Sequence, residues 1–65
     1  MAFTFEFEQE TDGRWIAEIP QIPGALAYGE TQELAAARAE AIALRTLADQ
    51  IEEAGKAKDL TFRTA

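Results

Sequence analysis

The sequence contains no cysteine, histidine or serine. Without cysteine, disulfides and thiolate zinc sites are excluded, and without histidine or serine the most common catalytic bases and nucleophiles are missing. Lys and Arg together number 6 against 12 Asp and Glu, so the formal net charge is −6 at pH 7. A negative field of this size repels a phosphate backbone. We therefore expect neither an enzyme nor a protein that binds nucleic acid directly.

What is present suits one small folded domain, covering residues 1–65. Hydrophobic residues make up 48% of the chain and charged residues 28%, which is the balance of a globular protein. A chain of this size buries only about 60% of its unfolded surface, so we expect a homo-oligomer in which self-association supplements the core. A signal peptide and a membrane-spanning segment are both unexpected, which favours a cytoplasmic protein without membrane contacts.

The N-terminal third has the alternation of a β-hairpin. Residues 3–9 place three phenylalanines on one side, and residues 14–19 form a less regular return strand. A two-residue loop would mix the two faces, because a shift of one residue turns every side chain over. A three-residue loop at 11–13, with its glycine in the left-handed conformation, sets Phe7 against Ala17 and keeps the apolar side chains together.

The same register predicts an acidic outer surface. It places Glu6 opposite Glu18, and Glu8 beside Ile16, although like charges directly opposite each other are destabilising. Either this is a solvated face, screened by salt or by a neighbouring Lys or Arg, or it is a docking surface for a basic partner. Glu6, Glu8, Ile16 and Glu18 are accordingly our candidate partner-binding residues. We expect no metal or cofactor, because glutamates on one flat strand do not converge on an ion, even with Glu10 included.

A turn at 20–24 and a short third strand at 25–28 precede a helix that runs from Thr31, its N-cap, to about Glu53. One apolar stripe of this helix is expected to face the sheet, with Leu47 beside it. Its members are Leu34, Ala37, Ala41, Leu44, Ala48 and Ile51. On another face, Arg38 and Arg45 either pair within the helix, as Arg45 with Asp49, or contact an acidic partner.

The helix is longer than the sheet that it covers. At about 33 Å it exceeds a strand of about 23 Å, so Leu47 and Ile51 need cover at its far end. That cover comes from Leu60 and Phe62 of a terminal strand at 60–63, or from a second copy of the chain. These four residues are our candidate oligomer contacts. The predicted fold is α+β, with strands and helix in the order β-β-β-α-β: a three-stranded antiparallel sheet, one helix packed on one face and a fourth C-terminal strand.

The spacing of turn and helix residues resembles a known family. The residues concerned are Asp12-Gly13-x-Trp15-x-Ala17-x-x-Pro20-x-x-Pro23-Gly24, then Gly29-x-Thr31, Glu33 and Ala35. This pattern is similar to the N-terminal domain of HicB-like antitoxins, over residues 3 to about 50. The resemblance implies a partial RNase H-like fold, with the fourth strand beside the first and without the catalytic acids of RNase H.

The resemblance also implies a function. HicB-like proteins bind and neutralise HicA, a small basic toxin that cleaves mRNA, and often self-associate. Many carry a C-terminal DNA-binding segment for which these residues have no counterpart, so we expect no such segment. The alternative is a homo-oligomeric interaction domain without a toxin partner.

Overall fold

A computed structural model describes residues 1–64 of the protein. The elements are β1 (Ala2–Gln9), β2 (Trp15–Glu18), β3 (Leu26–Gly29), α1 (Gln32–Ala54) and β4 (Thr61–Thr64). One helix and one four-stranded sheet make up the fold, which confirms the predicted α+β class. The strand order is β3-β2-β1-β4, and because β4 runs parallel to β1 while the other neighbours are antiparallel, the sheet is mixed.

The hairpin register is the predicted one. Phe7 lies opposite Ala17, and Glu6 lies opposite Glu18. The three-residue loop is closed by the Glu10 backbone N–H, which donates to the Arg14 carbonyl at 2.7 Å. Gly13 has φ 92°, in the left-handed region that glycine tolerates without steric cost. Alternation and turn chemistry together therefore determine which face of each strand meets the helix.

Two successive turns lead the chain from β2 into β3. The Ile22 backbone N–H donates to the Ile19 carbonyl at 3.0 Å, and the Ala25 N–H donates to the Ile22 carbonyl at 3.1 Å. Pro23 and Gly24, whose φ is 86°, take the two central positions of the second turn, as in a type II turn. The corner directs the Ile22 side chain into the core, where it is buried.

The helix begins and ends where its capping residues predict. Thr31 Oγ1 accepts a hydrogen bond from the Leu34 backbone N–H at 3.1 Å. At the other end Gly55 adopts φ 67°, and its N–H donates to the Ile51 carbonyl at 2.9 Å. Both interactions satisfy backbone groups that a helix terminus leaves without partners.

The predicted sheet-facing stripe of the helix is wrong. The buried residues of α1 are Ala35, Ala39, Ala43 and Leu47, at a spacing of four. Leu34 and Leu44 of the predicted stripe are 38% and 42% exposed. The physical reason is close approach, because a Cβ built on Gly29 would lie 2.5 Å from the Ala35 backbone nitrogen. Alanines allow the helix to come this near the sheet, whereas a row of leucines would hold it away.

Leu47, near the far end of the helix, is covered from within the chain, since only 2% of it is exposed. The ring of Phe62 on β4 stacks on Phe3 of β1, with 5.2 Å between ring centroids. Leu60 packs against the same core. The terminal strand therefore packs Phe62 onto β1 and adds to the core that contains Leu47, while Ile51 stays half-buried.

Candidate partner-binding face

The face of the sheet that points away from α1 carries the predicted partner-binding residues. Strand pairing places them in two rows that run across β1, β2 and β3. The first row is Glu6, Glu18 and Leu26, and the second is Glu8, Ile16 and Tyr28. We call these six residues the outer acidic face. Five of them, all except Tyr28, line an open depression of about 200 Å³ together with Phe7.

Alternation explains why these side chains point outward. With Phe5 and Ala17 buried against the helix, their chain neighbours Glu6 and Glu18 must point to the other side of the sheet. The same rule operates on β3, where the half-buried Ala27 lies between two exposed residues.

The contributions of Leu26 and Tyr28 were missed in the sequence. These residues are 42% and 41% exposed, and both lie on the outer acidic face. A signal for them was present, because the segment 25–28 alternates alanine with a large side chain. Reading the small residues as the inward ones would have identified the larger ones as outward.

The glutamates of this face have no cationic partner in the part of the chain that the structure describes. The salt bridge found there joins Arg14 Nε to Asp12 Oδ2 at 2.8 Å. The guanidinium of Arg14 also lies over the Tyr28 ring, 5.0 Å from its centroid. Because Arg14 is engaged in this way at the border of the face, the charges of Glu6, Glu8 and Glu18 are left to solvent or to a partner.

The Arg14 contacts also act on Asp12. The Arg14 backbone N–H donates to Asp12 Oδ1 at 3.0 Å, and the guanidinium binds the other carboxylate oxygen. The backbone hydrogen bond, followed by the side-chain contact, lowers the pKa of Asp12 below its ordinary value. The hairpin turn therefore favours the ionised form of Asp12.

Metal binding has no geometric support here. Within residues 1–64, no group of three or more acidic side chains is placed to hold a metal ion. Over the same residues, no helix is both long enough and apolar enough to cross a membrane.

The predicted oligomer contacts lie elsewhere. Leu47 belongs to the buried core. Ile51 near the end of the helix, Leu60 just before β4 and Phe62 on β4 are half-buried. A second copy could reach the last three in this arrangement, but not Leu47.

No protein-family model, curated protein sequence or solved structure matches this chain. The similarity to HicB-like domains rests on the residues quoted above and stays a prediction.

Proposed function

We propose that this protein is a non-catalytic binding module whose outer acidic face docks a small basic protein. The observation that carries the proposal is the composition of that face: glutamates without ion pairs on β1 and β2 lie beside the apolar side chains of Ile16, Leu26 and Tyr28. Protein interfaces usually combine an apolar contact area with neighbouring polar and charged side chains, and this face offers both. The net charge of −6 attracts a basic partner over a longer range.

The register of the hairpin gives the face its specificity for cations. Glu6 and Glu18 lie opposite each other, so their repulsion opposes folding of the free protein. A guanidinium inserted between them would convert that repulsion into attraction, because its planar fork binds carboxylates through two parallel hydrogen bonds. The partner should therefore present arginine, flanked by apolar side chains that cover Leu26.

The partner that we propose is a HicA-type toxin, a small basic protein that cleaves mRNA. A protein that binds RNA must expose Lys or Arg side chains to the phosphates. An acidic face of this kind competes with the RNA for those side chains. The similarity to HicB-like antitoxins supports this choice. The β-β-β-α-β order, with β4 beside β1, is compatible with the partial RNase H-like fold that the similarity implies.

Capture from a lysate of the source organism tests the proposal. The tagged protein is immobilised at low salt, proteins are eluted with rising salt, and any stoichiometric small basic protein is assayed for RNA cleavage. We expect an equimolar amount of the wild-type chain to suppress that cleavage. The double variant Glu6→Lys/Glu18→Lys should fail to suppress it.

The matched control is Glu30→Lys/Glu53→Lys, which makes the same change in net charge at exposed positions outside the face. This control should still suppress cleavage. Recovery of no stoichiometric basic partner, or RNA cleavage that continues at equimolar wild-type protein, would contradict the antitoxin proposal.

The alternative is a self-associating domain without a toxin. It is favoured by the exposure of Leu34 and Leu44 on the helix, which the core leaves uncovered. Capture of further copies of the chain alone would support it.

A further inference from the structure

The helix carries a second apolar stripe that does not touch the sheet. We call it the outer helix stripe; its members are Leu34, Ala37, Ala41, Leu44, Ala48 and Ile51. The spacing alternates between three and four residues over three heptads, as at the a and d positions of a coiled coil. At 3.6 residues per turn this stripe is centred about 150° around the helix from the buried row of Ala35, Ala39, Ala43 and Leu47. It therefore faces away from the sheet, where a second helix has room to approach.

The side chains that flank the stripe are charged, with a different sign on each side. Arg38 and Arg45 occupy e positions on one flank, and Glu33 and Glu40 occupy g positions on the other. In the part of the chain that the structure describes, none of the four forms a salt bridge, so the predicted Arg45–Asp49 pair is wrong. Within residues 1–64 these four charges are therefore not neutralised by ion pairs.

One of the arginines is already positioned. Arg38 Nη1 donates to the Tyr28 carbonyl at 2.9 Å, which fixes the guanidinium at the edge of β3. A guanidinium has five N–H donors, so most of them remain available to a carboxylate.

We propose that the outer helix stripe packs against the same stripe of a second copy, with the two helices parallel. In a parallel pair the g residue of one helix faces the e residue of the next heptad on its partner. Glu33 then meets Arg38 of the other copy, and Glu40 meets Arg45. By symmetry the dimer gains four contacts between opposite charges.

The opposite orientation is disfavoured by the same four residues. In an antiparallel pair, e positions face e positions and g positions face g positions. The flank formed by Arg38 and Arg45 would lie along its own counterpart, and the flank formed by Glu33 and Glu40 would do likewise. Like charges in contact select against this arrangement.

The net charge of the protein does not prevent this pairing. Each copy has a formal charge of −6, but the outer acidic face lies on the side of the sheet opposite the helix. In the parallel dimer the two acidic faces point away from each other across two sheets and two helices. That separation exceeds the Debye length of about 8 Å at physiological ionic strength, so their repulsion is largely screened. The dimer does not depend on the toxin proposal, because it uses a different surface.

Sedimentation equilibrium of the full chain tests the interface. We expect a concentration-dependent dimer whose Kd rises at least about tenfold in Leu44→Glu, which is about 1.4 kcal/mol. The matched control is Leu26→Glu, because Leu26 and Leu44 are both 42% exposed but lie on opposite sides of the molecule. This control should dimerise like the wild type, and circular dichroism verifies that both variants keep their fold.

Cross-linking tests the orientation, and the absence of natural cysteine makes it specific. In the parallel dimer Ala37 meets Ala37 of the other copy, so Ala37→Cys alone should form a disulfide-linked dimer on oxidation, as should Ala48→Cys. Such a bond requires Cα atoms within about 4.4–6.8 Å. In an antiparallel dimer Ala37 would meet Ala48, and cross-links would form only in a mixture of the two variants. That outcome, a monomer at every concentration, or equal effects of Leu44→Glu and Leu26→Glu would overturn the proposal.

Discussion

At the scale of single residues, Glu6 and Glu18 distinguish the outer acidic face from an ordinary solvated surface. They lie directly opposite each other on β1 and β2, and no salt bridge within residues 1–64 compensates them. A sequence selected for stability alone would place a cation or a threonine at one of these positions. Under the proposed function, a cation from the partner would relieve the repulsion between these two carboxylates.

Removing one of the two charges should stabilise the free protein. We expect Glu18→Gln to raise the free energy of unfolding by about 0.2–1 kcal/mol, because cross-strand pairs contribute at this level. The corresponding gain in Tm, up to about 8 °C for a domain of this size, should shrink as salt is added. Thermal melts at low and high salt check the prediction, with Glu30→Gln as the control. A gain that does not depend on salt would show that charge repulsion is not its cause.

Asp12 gives stability an acid-sensitive component. Its pKa in the folded protein is lowered by the Arg14 backbone N–H and guanidinium, relative to an unfolded value of about 3.9. This contribution is present above the unfolded pKa and is lost as the pH falls through the folded pKa. We expect Asp12→Asn to flatten the dependence of Tm on pH below about pH 4. A carboxylate pKa for Asp12 at or above 3.9 in an NMR titration would contradict this account.

At the scale of secondary structure elements, the contact between β3 and the start of α1 depends on one glycine. A Cβ on Gly29 would meet backbone atoms of Ala35 and Leu34, the nearest at 2.5 Å, and backbone cannot move aside as a flexible side chain can. We expect Gly29→Ala to destabilise the fold by about 1–3 kcal/mol, the usual cost of overpacking. Chemical denaturation measures this loss. An unchanged denaturation midpoint would mean that the helix does not approach the strand so closely.

The elements also show how far the sequence predicts the fold. The hairpin register and both helix caps follow from local chemistry: Gly13 in its turn, Thr31 at the N-cap and Gly55 at the C-cap. The face of the helix that meets the sheet does not follow, because α1 has two apolar stripes. The stripe with leucine and isoleucine is the more hydrophobic one, so the sequence predicted that it faces the sheet. The stripe that does face the sheet consists mainly of alanine, because only small side chains allow the close approach to Gly29. That requirement arises between elements, and the sequence pattern of the helix alone does not reveal it.

The candidate site, like the fold, was predictable from the sequence only where the pattern is local. Glu6, Glu8, Ile16 and Glu18 were found because alternation and register are local, whereas Leu26 joins them only through the pairing of β2 with β3. The absence of an ion pair on this face depends on where Arg14 lies in three dimensions. Nothing in the residue spacing places that guanidinium over Tyr28 rather than beside a glutamate.

At the scale of the whole molecule, two different surfaces lie on opposite sides of a fold made of one sheet and one helix. The protein measures 43 × 18 × 15 Å, with the outer acidic face on the sheet and the outer helix stripe on the helix. Their separation allows a basic partner and a second copy to bind at the same time. A dimer would then present two acidic faces on opposite sides, and each could take one partner molecule.

The outer acidic face is proposed to bind the basic partner. The most direct test is isothermal titration calorimetry of the captured partner against two triple variants with equal net charge. Glu6→Gln/Glu8→Gln/Glu18→Gln changes the face, and Glu30→Gln/Asp49→Asn/Glu53→Gln changes exposed positions elsewhere. We predict that Kd rises by about a hundredfold or more for the first variant, or about 2.7 kcal/mol, and by less than about threefold for the second. Equal weakening by both variants would reduce the interaction to non-specific charge attraction and would contradict the account.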